Sequence, residues 1–252
     1  MPAENFTAAA ASFADPYRLL VRESVASTND EIRRLAQAGA ADGLIVLAEH
    51  QTAGRGRRGA AWFSQSGESL AFSILLRPQE PPALWPRLAL AAGLAVAEAV
   101  ETFAPQVGIK WPNDIWLGQR KVAGILVEAD ADFAVVGIGL NLNTIDFPPA
   151  VAEIASSLRL ETGQFFCPAE VLSAVIAKFA RRRQQLEKDF DDLMAAVRLR
   201  CVLTGKRVTL TSANGPRRGI VEGLAAGGEL LLRTEHGLER LIQADEVRLC
   251  SA

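Results

Sequence analysis

The chain has 252 residues, 49% of them hydrophobic, and a formal net charge of −2. This is the composition of a globular protein with one good core and an appendage, or two modest domains, and it excludes the disordered and fibrous classes. The slightly acidic balance sets up no global field for nucleic acid or an anionic membrane, so any phosphate binding has to be local.

In chain order, the first stretch carries Glu4 and Asp15 and no cationic start, unlike a signal peptide. Residues 30–38, DEIRRLAQA, predict a short helix stopped by Gly39. Strand-like runs follow at 43–49 and 69–77. Pro86 opens a long Ala/Leu-rich helix to about Phe103. Its apolar run Leu88–Ala97 ends at Glu98, short of the roughly 20 residues needed to span a bilayer. Apolar runs ending at Lys110, at 121–128 and at 133–142 come next, with LGQRK between Leu117 and Lys121 predicting a hairpin. A helical stretch from about Pro168 to Arg200 carries Leu172, Val175, Ile176 and Phe179 on one stripe. After Cys201 the character changes to five short runs, RVTLT, RGIVEGL, ELLLRT, LERLIQ and EVRLC. Asn214-Gly215 is a hairpin signal among them, and five short strands in so little chain read as a small barrel. The larger part reads as α/β with a mixed sheet, because its hairpins exclude a purely parallel one.

Several stretches carry chemistry. In HQTAGRGRRGAAWFS, residues 50–64, Gly54, Gly56 and Gly59 let backbone N–H groups approach an anion. Arg55, Arg57 and Arg58 add planar forks suited to carboxylate and phosphate. A solvated hairpin tip accounts for this stretch equally well, and an RNA-binding arginine–glycine segment fits the net charge poorly. The spacing is not that of a Walker loop.

In KWPNDIWLGQRKVAGILVE, Pro112 breaks a strand and leaves Lys110, Asn113 and Asp114 clustered at the break, while Lys121 opens the next strand beside Gly124. Two lysines, an amide and a carboxylate in one hairpin can hold a phosphate and a carboxylate near a metal ion; an ordinary turn with surface lysines is the competing reading. In ASTND, Thr28 with Glu31 fits a capping box whose polar atoms a ligand could share. In GIGLNLN, Gly137 and Gly139 inside a strand predict a close backbone approach. His50 and His236 are the only histidines, which argues against a Ser-His-Asp triad or a multi-histidine metal site. Cys167, Cys201 and Cys250 are scattered as reduced cytosolic thiols would be.

Together and in this order, STN, QTAGRGRRG with Trp62, KWPND, KVAGILVE and GIGLNLN closely resemble the biotin–protein ligases, from about residue 17 onward. The resemblance implies a catalytic domain over residues 1–200, related to class II aminoacyl-tRNA synthetases, and a small C-terminal SH3-like β-barrel over 201–252. It implies ATP-dependent activation of biotin to biotinyl-5′-adenylate. Transfer to a lysine of biotin carboxyl carrier protein, a subunit of acetyl-CoA carboxylase or another carboxylase, would follow. ATP and biotin would be substrates, with Mg²⁺.

Matched by position, Ser27, Thr28, Asn29 and Gln51 would contact the biotin ureido ring or its pocket. Gly54, Arg55, Gly56 and Arg57 would form the closing loop, which shields a hydrolysable mixed anhydride. Lys121 would bind the carboxylate or acyl-phosphate oxygen, Lys110 the phosphate, and Asn113 and Asp114 would sit near Mg²⁺, with Asp114 its ligand. Trp62 would pack near the adenine, and Gly124, Gly139 and Asn141 complete the expected set. Arg57, Lys110 and Lys121 would be the catalytic cations.

Only about 15 residues precede the matched region, too few for a three-helix DNA reader, so the monofunctional type with no DNA partner is expected. The resemblance implies a cytoplasmic enzyme with no membrane partner and leaves room for a homodimer. A lipoate or octanoate ligase of the same fold, and a non-catalytic nucleic-acid-binding module, are the alternatives.

Overall fold

In the computed structural model, residues 4–211 and 215–250 are described; the turn expected at Asn214 falls outside them. The elements are α1 (Glu4–Ala10), β1 (Arg18–Val25), α2 (Thr28–Gln37), β2 (Leu44–Gln51), β3 (Ser69–Leu76), α3 (Arg87–Glu101), β4 (Val107–Lys110), β5 (Asp114–Leu117), β6 (Arg120–Ala129) and β7 (Ala134–Asn141). Then come α4 (Leu158–Thr162), α5 (Pro168–Lys188), α6 (Phe190–Arg200), β8 (Arg207–Thr211), β9 (Arg217–Leu224), β10 (Leu230–Thr234), β11 (Gly237–Leu241) and β12 (Glu246–Leu249).

The first seven strands form one mixed sheet in the order β1-β2-β3-β7-β6-β5-β4. β1 and β2 run parallel, which requires a crossover, and α2 supplies it. The other neighbours are antiparallel. Alternation sorts the strands onto two faces. Ile45, Leu47, Phe72, Ile74, Val136, Ile138 and Ile125 join one large apolar cluster with α3 and α5. Val46, Leu75 and Val135 face the other way, onto Ile32 and Ala36 of α2.

The sequence of α3, RLALAAGLAVAEAVE, is rich in alanine and is buried nearly all round. Small side chains let the helix lie close to the sheet on one side and to α5 on the other. The stretch Pro82–Glu101 is long and apolar enough to cross a membrane by length and composition alone, but here it is the core helix, with 67% of its apolar window buried inside the protein. Glu98 on α3 is paired with Arg182 on α5, whose Nε donates to it at 2.9 Å.

One expectation is refined and one corrected. The helical stretch from Pro168 to Arg200 is divided in two, because Asp189 caps a new helix by accepting from the Asp192 backbone N–H at 3.1 Å. The capping box at Thr28 does not form. Ser27 is the N-cap and makes no side-chain cap bond. Glu31 turns instead to Arg22 and Arg34, at 3.2 and 2.9 Å.

The five C-terminal runs form a separate antiparallel sheet, ordered β11-β10-β9-β8-β12, so the last strand returns to pair with the first. It is anchored to the larger sheet by the Trp111 indole, which donates to the Gly228 carbonyl at 3.0 Å.

Candidate active site

The site rests on the α2 face of the large sheet, over a patch floored largely by glycine. Gly124 and Gly139 are register partners on β6 and β7. Gly137 lies two residues from Gly139 and so shares its face. On β3 their partners are Ser73 and Ala71. Apart from Leu126, the β6 partner of Gly137, this patch carries nothing larger than serine.

Two side chains lie directly on the strip. A Cβ at Gly137 would stand 2.3 Å from Asn29 Oδ1, and one at Gly139 would stand 2.2 Å from Trp62 Cε2. The close approach expected at both glycines is therefore made by the chain itself. Gly54 permits another: a Cβ there would meet the Trp62 carbonyl at 2.8 Å.

The start of α2 forms one wall. The buried Ser73 hydroxyl lies 2.7 Å from Thr28 Oγ1 and 2.6 Å from Asn29 Oδ1, with one proton to serve both. Asn29 Nδ2 donates to Glu128 at 2.7 Å, so both ends of this amide are occupied. The backbone N–H and hydroxyl of Thr28 donate to Gln51 Oε1 at 2.9 and 3.2 Å, and the Gln51 NH₂ remains as a donor. Thr28 is thus drawn to Gln51 rather than to its own helix.

Lys121 Nζ lies 2.7 Å from Asp114 Oδ1 and 5.6 Å from the Trp62 ring centre, beside Gly124. Lys110 sits 4.8 Å over the Trp116 ring and does not line the cavity. Burial pushes its ammonium below the usual lysine range, with Asp114 the foremost opposing charge. Asp114 therefore stands between two lysines.

The loop over the cavity is a small hairpin closed by Gly56 N–H to Ala60 O at 2.6 Å and Trp62 N–H to Gly54 O at 2.9 Å. Arg55 is engaged away from the cavity centre. Its fork meets both Asp30 oxygens at 2.6 Å, and that bond holds the Asp30 carboxyl below the usual carboxylate range. Arg57 donates to Asn113 Oδ1 at 3.1 Å and to the Ala244 carbonyl at 2.9 Å. Desolvation is the main influence on its guanidinium and lowers its pKa.

Ser27, Thr28, Asn29, Gln51, Arg55, Gly56, Arg57, Trp62, Asn113, Lys121, Gly124 and Gly139 all line one cavity, together with Gly137. Asn141 does not; its buried Nδ2 donates to the Ser156 carbonyl at 3.0 Å and ties down the end of β7. The cavity holds about 50 Å³, against roughly 300 Å³ or more for a typical small-molecule pocket. The Trp62 indole fills the strip, and its Nε1 is buried without a hydrogen-bond partner. A wider groove of about 530 Å³ adjoins it and shares Arg57, Asn113 and Ile125.

Sequence reasoning missed Ser73, Glu128, Asp30 and the Ala244–Asp245 pair. A serine inside the apolar run SLAFSILL was the available signal for Ser73, and a carboxylate closing GILVE was the one for Glu128. The described residues contain no group of three His, Cys, Asp or Glu that could hold a metal. A Mg²⁺ carried on phosphates needs only one or two protein carboxylates, and Asp114 is of that kind.

The mixed sheet with its glycine floor, the arginine–glycine loop over one cavity and the appended antiparallel sheet define a two-part α/β protein. Residues 21–143 match the model described as the biotin/lipoate A/B protein ligase family, and residues 203–247 match that of the biotin protein ligase C-terminal domain. The biotin–[acetyl-CoA-carboxylase] ligase of Paracoccus denitrificans is 36% identical over 233 residues, covering 88% of this chain and 96% of its own. A bifunctional ligase/repressor of Bacillus spizizenii is 34% identical over 236 residues, covering 90% and 73%. The biotin protein ligase of Aquifex aeolicus, solved in complex with biotin and ATP, superposes with a TM-score of 0.83 at 33% identity, covering 92% of this chain and 99% of that one. The chain belongs to the biotin protein ligase family.

Proposed function

We propose that this protein activates biotin with ATP, forming biotinyl-5′-adenylate, and transfers the biotinyl group to a lysine of a biotin carboxyl carrier protein. The observation that carries this reading is Lys121. Its ammonium enters the cavity beside Gly124, under the arginine–glycine loop and opposite the Thr28–Gln51 wall.

In the first half-reaction a carboxylate oxygen of biotin attacks the α-phosphorus of ATP and pyrophosphate leaves. Both reactants are anions, so the site has to neutralise them and hold them in line. Lys121 serves the carboxylate and the acyl-phosphate oxygen, and Arg57 the phosphate. Lys110 acts from outside the cavity wall through the charge it shares at Asp114. Ser27, Thr28 and the Gln51 NH₂ receive the ureido group, while Asn29, held by Ser73 and Glu128, shapes the wall from behind. Trp62 leaves the strip to admit ligand and then covers it. Asp114 would be the protein carboxylate that holds a magnesium ion carried on the phosphates, and the ion would supply charge neutralisation there.

In the second half-reaction the acceptor lysine nitrogen attacks the acyl carbon, AMP leaves, and the amine loses its proton. The match to the C-terminal domain model of biotin protein ligases favours biotin over lipoate. We further propose catalytic residues 1–200 and a C-terminal domain from 201, since strands β8–β12 pair only with one another. The acceptor is assigned to acetyl-CoA carboxylase or a related carboxylase, and a homodimer is compatible with the fold. The reaction is assigned to the cytoplasm, where ATP is supplied and the three free cysteines stay reduced.

Biotin-dependent ATP–pyrophosphate exchange by the purified protein tests the reading. Exchange driven by biotin and not by lipoate is expected; exchange with lipoate alone, or none, would overturn it.

A further inference from the structure

The C-terminal sheet reaches the loop through one short segment between β11 and β12. Asp245 N–H donates to the Thr211 carbonyl at 2.8 Å and fixes this segment to β8. The preceding residue, Ala244, is buried, and its carbonyl accepts from Arg57. The Asp245 carboxylate forms an ion pair with Arg58. Arg58 has φ 56° and ψ 30°, a left-handed conformation that a residue other than glycine keeps only where its surroundings hold it. Arg57 and Arg58 are thus fastened side by side to one rigid edge, while the other end of the Arg57 fork reaches Asn113 at the cavity wall.

We propose that Asp245 is a positioning residue. Through Arg58 it holds the Arg57 guanidinium over the cavity, and so sets how long the activated intermediate is retained before the acceptor arrives. This rests on the adenylate-forming function above. The appended sheet then takes part in the reaction without touching substrate.

The consequence is chemical. An escaped mixed anhydride meets water, whose oxygen adds to the acyl carbon. The acyl–phosphate bond breaks, AMP departs and biotin is regenerated. Each escape converts one ATP to AMP and pyrophosphate and consumes no biotin. Retention is therefore read as biotin-dependent AMP formation in the absence of any acceptor.

The test compares wild type, Asp245→Ala, Asp245→Asn, Arg58→Ala and the Arg58→Ala/Asp245→Ala double variant, each checked for wild-type thermal unfolding. Losing a charged contact at a half-exposed pair should raise acceptor-free AMP formation about tenfold. Pyrophosphate exchange by the Asp245 variants should stay within about threefold of wild type, since Lys121, Lys110 and Arg57 remain. Asp245→Asn keeps the shape and loses the charge, so it should leak like Asp245→Ala, whereas a merely structural aspartate would tolerate it. The double variant should leak no more than either single one. Wild-type leakage in Asp245→Asn, or a double variant whose leak is the product of the two singles, would overturn the proposal. A wild-type protein that exchanges nothing would instead overturn the function itself.

Discussion

Asp114 lies 2.7 Å from the Lys121 ammonium. Substrate oxygens would draw that ammonium inward as charge develops, and this is the kind of contact that is strongest in the transition state. Lys121→Ala should therefore lower biotin-dependent pyrophosphate exchange by roughly 10²–10³-fold, the range found when one such donor is removed. It would also remove the cation that lies 2.7 Å from Asp114. Circular dichroism and a thermal melt on the same sample establish that the variant is folded. Activity within a few-fold of wild type would remove Lys121 from the reaction. Lys110 differs in kind: it is half-buried over Trp116 and does not line the cavity.

At the scale of elements, the floor of the site is a property of three adjacent strands rather than of any single residue. Gly139→Val would put a branched carbon where the Trp62 indole now lies. Such overpacking should destabilise the protein by about 1–3 kcal/mol. Biotin binding measured by calorimetry should be lost, because the displaced indole and the new side chain both occupy the strip. Retained binding would mean that the ligand lies elsewhere.

The strands themselves were legible, since SLAFSILL and VVGIGLN carry apolar runs of strand length with glycines that mark a close approach. What approaches the glycines was not legible, because Asn29 and Trp62 arrive from remote parts of the chain. The capping box was misread for a similar reason: the partner that claims Thr28 is Gln51, 23 residues away, and local pattern does not report it. The stop at Asp189 was written in the sequence as Asp189-x-x-Asp192, but the apolar stripe of the preceding helix masked it. The partners of the loop arginines were not readable. That Arg55 serves Asp30 and Arg57 serves Ala244 follows from packing, the latter across 187 residues.

At the scale of the molecule, the two sheets are joined by the Trp111–Gly228 bond and by the loop arginines, so ligand and fold should be thermodynamically linked. A ligand bound only by the folded state at 100 times its Kd adds about 2.7 kcal/mol. At roughly 2–4 °C per kcal/mol for a chain of this size, saturating biotin with a non-hydrolysable ATP analogue should raise Tm by about 5–10 °C. The bound protein should melt in a single calorimetric transition. A C-terminal transition that stays put while the first moves would show that the sheets are not coupled.

The bare floor at Gly124, Gly137 and Gly139 also limits how this site can change over generations. A pocket walled by side chains can drift toward new ligands by trimming or enlarging them one at a time. Here the glycines of the floor have nothing left to trim, and at Gly137 and Gly139 any added atom collides with Asn29 or Trp62. Descent with modification is thereby confined to the rim: the first turn of α2, Gln51 and the loop bearing Trp62. Lineages that acquire a different small acid would keep the same glycines and diverge around them.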